Sequence, residues 1–186
     1  LSKYLILRQN PSIILSFLKI DHIGGINTIL YCIFSGATIV IPNNYSPSHI
    51  CELIEKHKIN ILPATPSFIN LFLLTGAYQK YDLSSINVIS YGTEVMPPYL
   101  LMKLSSIFQN VKIKQTYGLS ELGILSTKSY SNSSLLIKVG GDGYETKNVN
   151  NILYIRSKYS MIGYLNAPNP FDEDGWFNTQ DIVEEF

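Results

Sequence analysis

The sequence predicts an α/β protein: a mainly parallel sheet flanked by helices over residues 1–123, followed by a small β-rich unit over residues 124–186. Three observations carry this. Short apolar runs alternate with amphipathic segments through the first two thirds of the chain, the pattern of βαβ units. After Glu121 that pattern gives way to short runs punctuated by Gly123, Ser126, Ser129, Ser131, Ser133 and Gly140–Gly143, which read as antiparallel strands. Hydrophobic residues make up 46% of the 186 and charged residues 15%, enough to build a core and to exclude disorder.

Each element has a local reason. Ser12–Ile20 reads as a strand ending at Asp21-His22. Gly25–Phe34 reads as a helix stopped by Ser35-Gly36, and Ala37–Ile41 as a β-branched strand ended by Pro42. Ser48–Lys58 is a helix with Ile50, Leu53, Ile54 and His57 on one side; Ile59–Leu62 is a short strand. Pro66–Leu74 is helical, with Pro66 in the first turn, where its missing N–H costs nothing, and Gly76 as its stop. Ile86–Ser90 is a strand running into Tyr91-Gly92. Pro97–Phe108 is a helix whose Leu100, Leu101, Leu104, Ile107 and Phe108 form one apolar stripe. Val111–Thr116 is a strand running into Tyr117-Gly118, and Leu135–Val139 and Ile152–Arg156 are strands of the β-rich unit.

Composition removes several function classes. Fourteen Lys+Arg balance fourteen Asp+Glu, and the arginines are Arg8 and Arg156 alone, so neither a basic nucleic-acid surface nor an arginine-rich phosphate grip is expected. Cys32 and Cys51 make no disulfide framework and suit a reducing, cytoplasmic setting as small hydrophobes. No charge occurs from Ile23 to Ser48, a run long enough for a bilayer. Gly24, Gly25, Asn27, Thr28, Ser35, Gly36 and Thr38 interrupt it, so helix, turn and buried strand is the reading, without stable membrane insertion.

In open parallel sheets, ligands bind beyond the carboxyl ends of the strands. Those ends read Asp21-His22-Ile23-Gly24-Gly25, Ala64-Thr65-Pro66, Tyr91-Gly92-Thr93-Glu94 and Gln115-Thr116-Tyr117-Gly118-Leu119-Ser120-Glu121. Small residues admit a ligand to the backbone, tyrosine offers a flat face, and Ser, Thr and Glu offer hydroxyls and a hard oxygen ligand. Each piece also has a plain reading: a turn at Tyr-Gly, a helix cap at Ser120-Glu121, a hydrogen-bonded core histidine at His22. Their shared location favours a pocket, yet spacing names no reaction. Other sites fail on spacing. His22, Cys32, His49, Cys51 and His57 show no zinc pattern. An EF-hand on Asp172–Gly175 would place Pro170 where Asp is needed. Gly140-Gly141-Asp142-Gly143 lacks the strand–helix setting of a dinucleotide fingerprint.

Tyr117-Gly118-Leu119-Ser120-Glu121 resembles the Tyr-Gly-x-Thr/Ser-Glu motif of adenylate-forming enzymes, the acyl- and aryl-CoA synthetases, luciferases and adenylation domains. Four further segments resemble that family in order: Phe17–Gly25, Tyr91-Gly92-Thr93-Glu94, Ile152–Tyr164, and Gly175-Trp176-Phe177-Asn178-Thr179-Gln180-Asp181. The resemblance covers nearly the whole chain. It implies the central slice of the family's large AMP-binding domain, with the β-rich unit as part of a barrel subdomain.

The resemblance implies roles. Tyr117 would lie against adenosine, with Gly92, Thr93, Glu94, Thr116 and Gly118 also lining the nucleotide site and Asp181 accepting from the ribose hydroxyls. Ser120 would contact the phosphate, Glu121 would hold Mg²⁺ beside ATP, and His22 would border the acid pocket. Ser120, Glu121 and His22 are thus the expected catalytic set. The implied reaction is ATP-dependent activation of a carboxylic acid, of fatty or aryl type, to an acyl-adenylate, then transfer to CoA or a carrier-protein phosphopantetheine.

Some features depart from the family. Gln180 stands where the family has Gly, and Asn150-Asn151 where Gly-Glu is usual. The family's phosphate loop is expected before residue 1, and its hinge and catalytic lysine after residue 186. The chain alone is therefore expected to be incompetent and prone to self-association through uncovered apolar faces. The alternative reading is a natural non-catalytic module that binds nucleotide, acyl group or a protein partner.

Overall fold

The computed structural model describes residues 12–184; Arg8 and the opening segment lie outside them. Five short strands form one parallel sheet: β1 (Ile13–Leu15), β2 (Thr38–Val40), β3 (Ile61–Ala64), β4 (Val88–Tyr91) and β5 (Lys112–Gln115), in the order β2-β1-β3-β4-β5. The intervening helices are α1 (Ile23–Ser35), α2 (Pro47–His57), α3 (Pro66–Thr75) and α4 (Pro98–Ile107), with a 3-10 turn at Ala77–Gln79.

Local chemistry sets most boundaries. The His22 imidazole Nδ1 accepts from Gly24 N at 3.1 Å and caps α1. Thr65 caps α3 through Phe68 N, and Pro66 opens it. Gly36 and Gly76 close α1 and α3 in left-handed conformation. With α1 thirteen residues long, no described helix is long and apolar enough to cross a membrane.

Several strands are shifted from the sequence reading: Ile86–Ser90 is found at Val88–Tyr91 and Leu135–Val139 at Ile137–Gly140, and two others differ for reasons the structure shows. The expected strand Ser12–Ile20 stops at Leu15, because residues 16–22 fold back onto the first turn of α1. Gly25 makes that return possible: a Cβ there would stand 2.0 Å from the Lys19 carbonyl oxygen. The expected strand Ile59–Leu62 is displaced to Ile61–Ala64. Asn60 precedes it, joining β1 through its side chain (Ile13 N to Oδ1, 3.0 Å) and accepting from Asn87 and Val88 through its carbonyl. Pro63 is tolerated because the register of β3 with β1 is confined to Ile14↔Ile61, while β4 pairs along all of Ile61–Ala64.

The main core lies between the sheet and α2–α4. Ile50, Cys51 and Ile54 of α2, Phe68, Ile69, Phe72 and Leu73 of α3, and Leu100, Leu101 and Leu104 of α4 close over Leu15, Leu62, Ile89 and Ile113. Burial pushes the Cys51 thiol up to about 12, so it packs as a neutral apolar group. Helix α1 buries only Gly24, Gly25 and Cys32 and leaves Ile26, Leu30, Ile33 and Phe34 exposed.

After β5 the chain makes two antiparallel sheets. β6 (Tyr117–Leu119), β7 (Gly123–Ser129) and β8 (Ile137–Gly140) form one; β9 (Tyr144–Val149), β10 (Ile152–Ser157) and β11 (Phe177–Ile182) form the other. Leu122, Leu125, Leu153 and Ile155 make a second core between them, joined by Tyr117, Tyr144 and Phe177. The free edge of β5 is satisfied from this side. Asn132 exchanges hydrogen bonds with Ile113 N and Val111 O, and the Thr127 hydroxyl donates to Gln115 O at 2.6 Å. Asn150 and Asn151 (φ 52° and 64°) make the two-residue turn between β9 and β10, a conformation asparagine accepts.

The opposite faces of α4 give a direct check on the core. Leu101 is 0% exposed and Met102 63%. Leu101→Ala should cost about 2–5 kcal/mol, and Met102→Ala less than about 0.5 kcal/mol, as read from urea unfolding of the two variants.

Candidate functional site

Because the five strands are parallel, their carboxyl ends share one edge of the sheet. The loops after β4 and β5 converge there. Thr116 N and its hydroxyl both donate to Tyr91 O, at 2.8 and 3.0 Å, locking the two loops together. Gly92 fits against that lock: a Cβ would lie 2.3 Å from Thr116 Oγ1. Its small size thus serves the packing of the two loops against each other. The next residue, Thr93, sits at φ 69°, a strained conformation for a β-branched residue. Glu94 then turns to α3, its Oε2 accepting from Ser67 N at 2.8 Å and Ser67 Oγ at 2.6 Å. The strained residue is held between two anchors.

The Tyr117–Glu121 motif is a β-hairpin. Tyr117, Gly118 and Leu119 form β6, Gly118 pairs opposite Ile124, and a Cβ at Gly118 would lie 2.8 Å from Gly123 O. Ser120 is exposed and Glu121 half-buried in the turn, which Leu122 N closes onto Leu119 O at 3.1 Å. The helix-cap alternative for Ser120-Glu121 is therefore replaced by a strand-to-strand turn. Leu122 is wholly buried beneath it.

Two phenol–carboxylate contacts frame this hairpin. The Tyr117 hydroxyl donates to Asp181 Oδ2, joining residues 64 apart in sequence. Burial first, and the Asp181 hydrogen bond second, push the Tyr117 phenol well above the ordinary tyrosine range. The Tyr164 hydroxyl donates to Glu121 Oε1, and that bond raises the Tyr164 phenol. The same segment also holds the Glu121 main chain, Met161 N donating to Glu121 O at 2.9 Å. From the other side the Tyr144 hydroxyl reaches Leu122 O and Ile124 O, each at 3.3 Å. Tyr164 is not among the residues the sequence singles out for the site, although it ends the Ile152–Tyr164 segment that resembles the family.

Asp181 is positioned by a turn that the sequence left in question. Gln180 adopts φ 63°, so the chain keeps the left-handed conformation that the family's glycine would supply. Side chains support it: Asn178 Oδ1 accepts from Gln180 N at 2.9 Å and Thr179 Oγ1 from Asp181 N at 3.1 Å.

The structure thus joins Gly92 to Thr116, Tyr117 to Asp181 and Glu121 to Tyr164. His22 stands apart from these contacts as the α1 cap, and Glu94 faces α3. A cavity of about 800 Å³ opens elsewhere, between α1 and the loops after β1 and β2, lined by Leu18, Asp21, Ile29, Ile33, Ile41 and Tyr45 among others.

The donor set suits a nucleotide: a phenol, a carboxylate, hydroxyls and main chain at one edge. Among the described residues no group of three or more His, Cys, Asp or Glu could hold a metal ion by itself. A cation at Glu121 would have one carboxylate and would need further oxygens from phosphate and water, the arrangement that suits Mg²⁺.

The fold and these motifs define an adenylate-forming domain. The family model for AMP-binding enzymes matches residues 3–148, and the chain belongs to that family. It is 30% identical to 4-coumarate-CoA ligase 1 of Narcissus pseudonarcissus, over 94% of this chain and 36% of that protein. It is 29% identical to 4-coumarate-CoA ligase 1 of Arabidopsis thaliana, over 94% and 35%. The chain therefore spans about a third of the length of these curated relatives. Among solved structures, the amide bond synthetase McbA of Marinactinospora thermotolerans aligns with a TM-score of 0.77 at 18% identity, over 96% of this chain and 40% of that one. The luciferase-like enzyme of the Zophobas morio mealworm aligns with a TM-score of 0.72 at 22% identity, over 92% and 46%. These two likenesses are of fold.

The buried phenols give a pH prediction. Burial raises Tyr91 from 10.0 to about 12, and Tyr117 is raised as well. The folded state holds these protons more tightly, so their contribution is complete below about pH 10 and lost as pH rises through the folded values. Spectrophotometric titration should give a late phenolate phase that shrinks in Tyr91→Phe and Tyr117→Phe. A wild-type titration in which every tyrosine ionises near pH 10 would contradict it.

Proposed function

We propose that this chain forms part of the nucleotide platform of a larger ATP-dependent ligase that converts a carboxylic acid to an acyl-adenylate and passes the acyl group to a thiol. The observation that carries the reading is the Tyr117–Asp181 contact: two motif residues 64 positions apart meet at the edge of the parallel sheet. Membership of the AMP-binding family and likeness to 4-coumarate-CoA ligases support it. The proposed acid is an acyl or aryl acid, the acceptor CoA or a carrier-protein phosphopantetheine, and the setting the cytoplasm.

In this reading a carboxylate oxygen attacks the α-phosphorus in line and pyrophosphate leaves, a reaction that needs positioning and charge stabilisation more than covalent participation by the protein. The Tyr117 ring packs on adenosine, and its hydroxyl fixes Asp181 so that the carboxylate can accept from the ribose. The anchored strip Gly92-Thr93-Glu94 offers main chain to the adenine edge, the Glu94 carboxylate being committed to Ser67. Thr116 and Gly118 set the spacing of the two walls, and Ser120 contacts phosphate from the hairpin turn. Glu121 would hold Mg²⁺, which supplies charge neutralisation on the phosphates. His22 borders the acid at the start of α1.

In the full-length protein, Glu121→Ala and Asp181→Ala should each reduce acid-dependent ATP–pyrophosphate exchange on the order of 100-fold or more, the scale of losing one preorganised electrostatic contact. Undiminished exchange in both variants would overturn the assignment.

A further inference from the structure

Glu121 is held at both ends by one short segment. Met161 N donates to its carbonyl oxygen at 2.9 Å, and the Tyr164 hydroxyl donates to its Oε1. The turn that carries it is fixed independently by Tyr144 on Leu122 O and Ile124 O and by the buried Leu122 side chain. Those other contacts fix the backbone and leave the carboxylate free to rotate about its own side-chain bonds. Among the described residues the hydrogen bond from Tyr164 is the contact that orients the carboxylate group. A flexible side chain fixed at one oxygen presents the other in a defined direction without ordering cost at the moment of binding.

We infer that Tyr164 is a positioning residue for Glu121, holding one carboxylate oxygen so that the other serves the cation that accompanies the nucleotide. This rests on the reading of Glu121 as the cation-holding residue. In this role Tyr164 acts on the cation through Glu121. The 159–164 segment therefore does more than connect β10 to β11: it sets the orientation of a residue more than forty positions earlier.

The test is equilibrium binding of Mn²⁺ to the full-length protein saturated with a non-hydrolysable ATP analogue, followed by electron paramagnetic resonance. Tyr164→Phe removes the hydroxyl and keeps the ring, and the Met161–Glu121 main-chain bond does not depend on it. Tyr164→Phe should weaken Mn²⁺ binding about tenfold, the usual scale for removing the hydrogen-bond partner of a metal-holding carboxylate. Glu121→Gln should weaken it further. Tyr159→Phe, in the same segment but with its ring packed on Tyr144, should bind as the wild type does. Wild-type Mn²⁺ affinity in Tyr164→Phe together with weakened binding in Glu121→Gln would overturn the role of Tyr164 alone. Wild-type affinity in both would overturn the reading of Glu121 and the inference with it.

Discussion

A parallel strand cannot be followed directly by its neighbour; the chain must cross back over the sheet first. That constraint organises this molecule. Each of the five short strands is followed by a return through a helix or hairpin, so the loops that leave the strands gather at one edge. Residues 16–22, 65–67, 92–94 and 116–121 are therefore neighbours by topology before any of their side chains is considered. The strand order reverses between β1 and β3, which puts α1 on the face away from α2–α4 and leaves it sparsely covered. The candidate site lies further along the edge, at β4 and β5, where the antiparallel sheets meet the parallel one.

That meeting is made by polar contacts over a small second core. Thr127 and Asn132 satisfy the edge of β5, and Leu122 anchors the hairpin between the two parts. The local conformations at the site carry strain that neighbouring contacts hold in place. Thr93 keeps a positive φ between the Gly92–Thr116 lock and the Glu94–Ser67 bonds, and Gln180 keeps one under the bonds from Asn178 and Thr179. Each such residue costs on the order of 1–3 kcal/mol, so the surrounding bonds must determine the conformation. This explains how glutamine can stand at a position where the family has glycine.

Much of the fold was legible because its signals are local. Pro66 and Gly76 bracket α3, Ser35-Gly36 splits the uncharged run, and the apolar stripe of α4 is buried at Leu100, Leu101 and Leu104. What was misplaced depends on distant partners. β1 ends early because Gly25 accepts a close approach from Lys19, and β3 begins late because Asn60 is occupied with β1 and β4. The same division holds at the site. The motif residues Tyr117, Glu121 and Asp181 could be picked out by their order in the chain. That Tyr117 and Asp181 touch, that Tyr117–Leu119 is a strand, and that Tyr164 reaches Glu121 are facts of tertiary pairing with no local signature.

One edge of the parallel sheet is the proposed nucleotide surface. Amide hydrogen exchange of the full-length protein, with and without AMP, locates that surface directly. It should slow together in three separated segments, residues 91–94, 116–121 and 178–181, because the structure draws them to one place. Unchanged exchange in all three, or slowing confined to the cavity between α1 and the loops after β1 and β2, would contradict it.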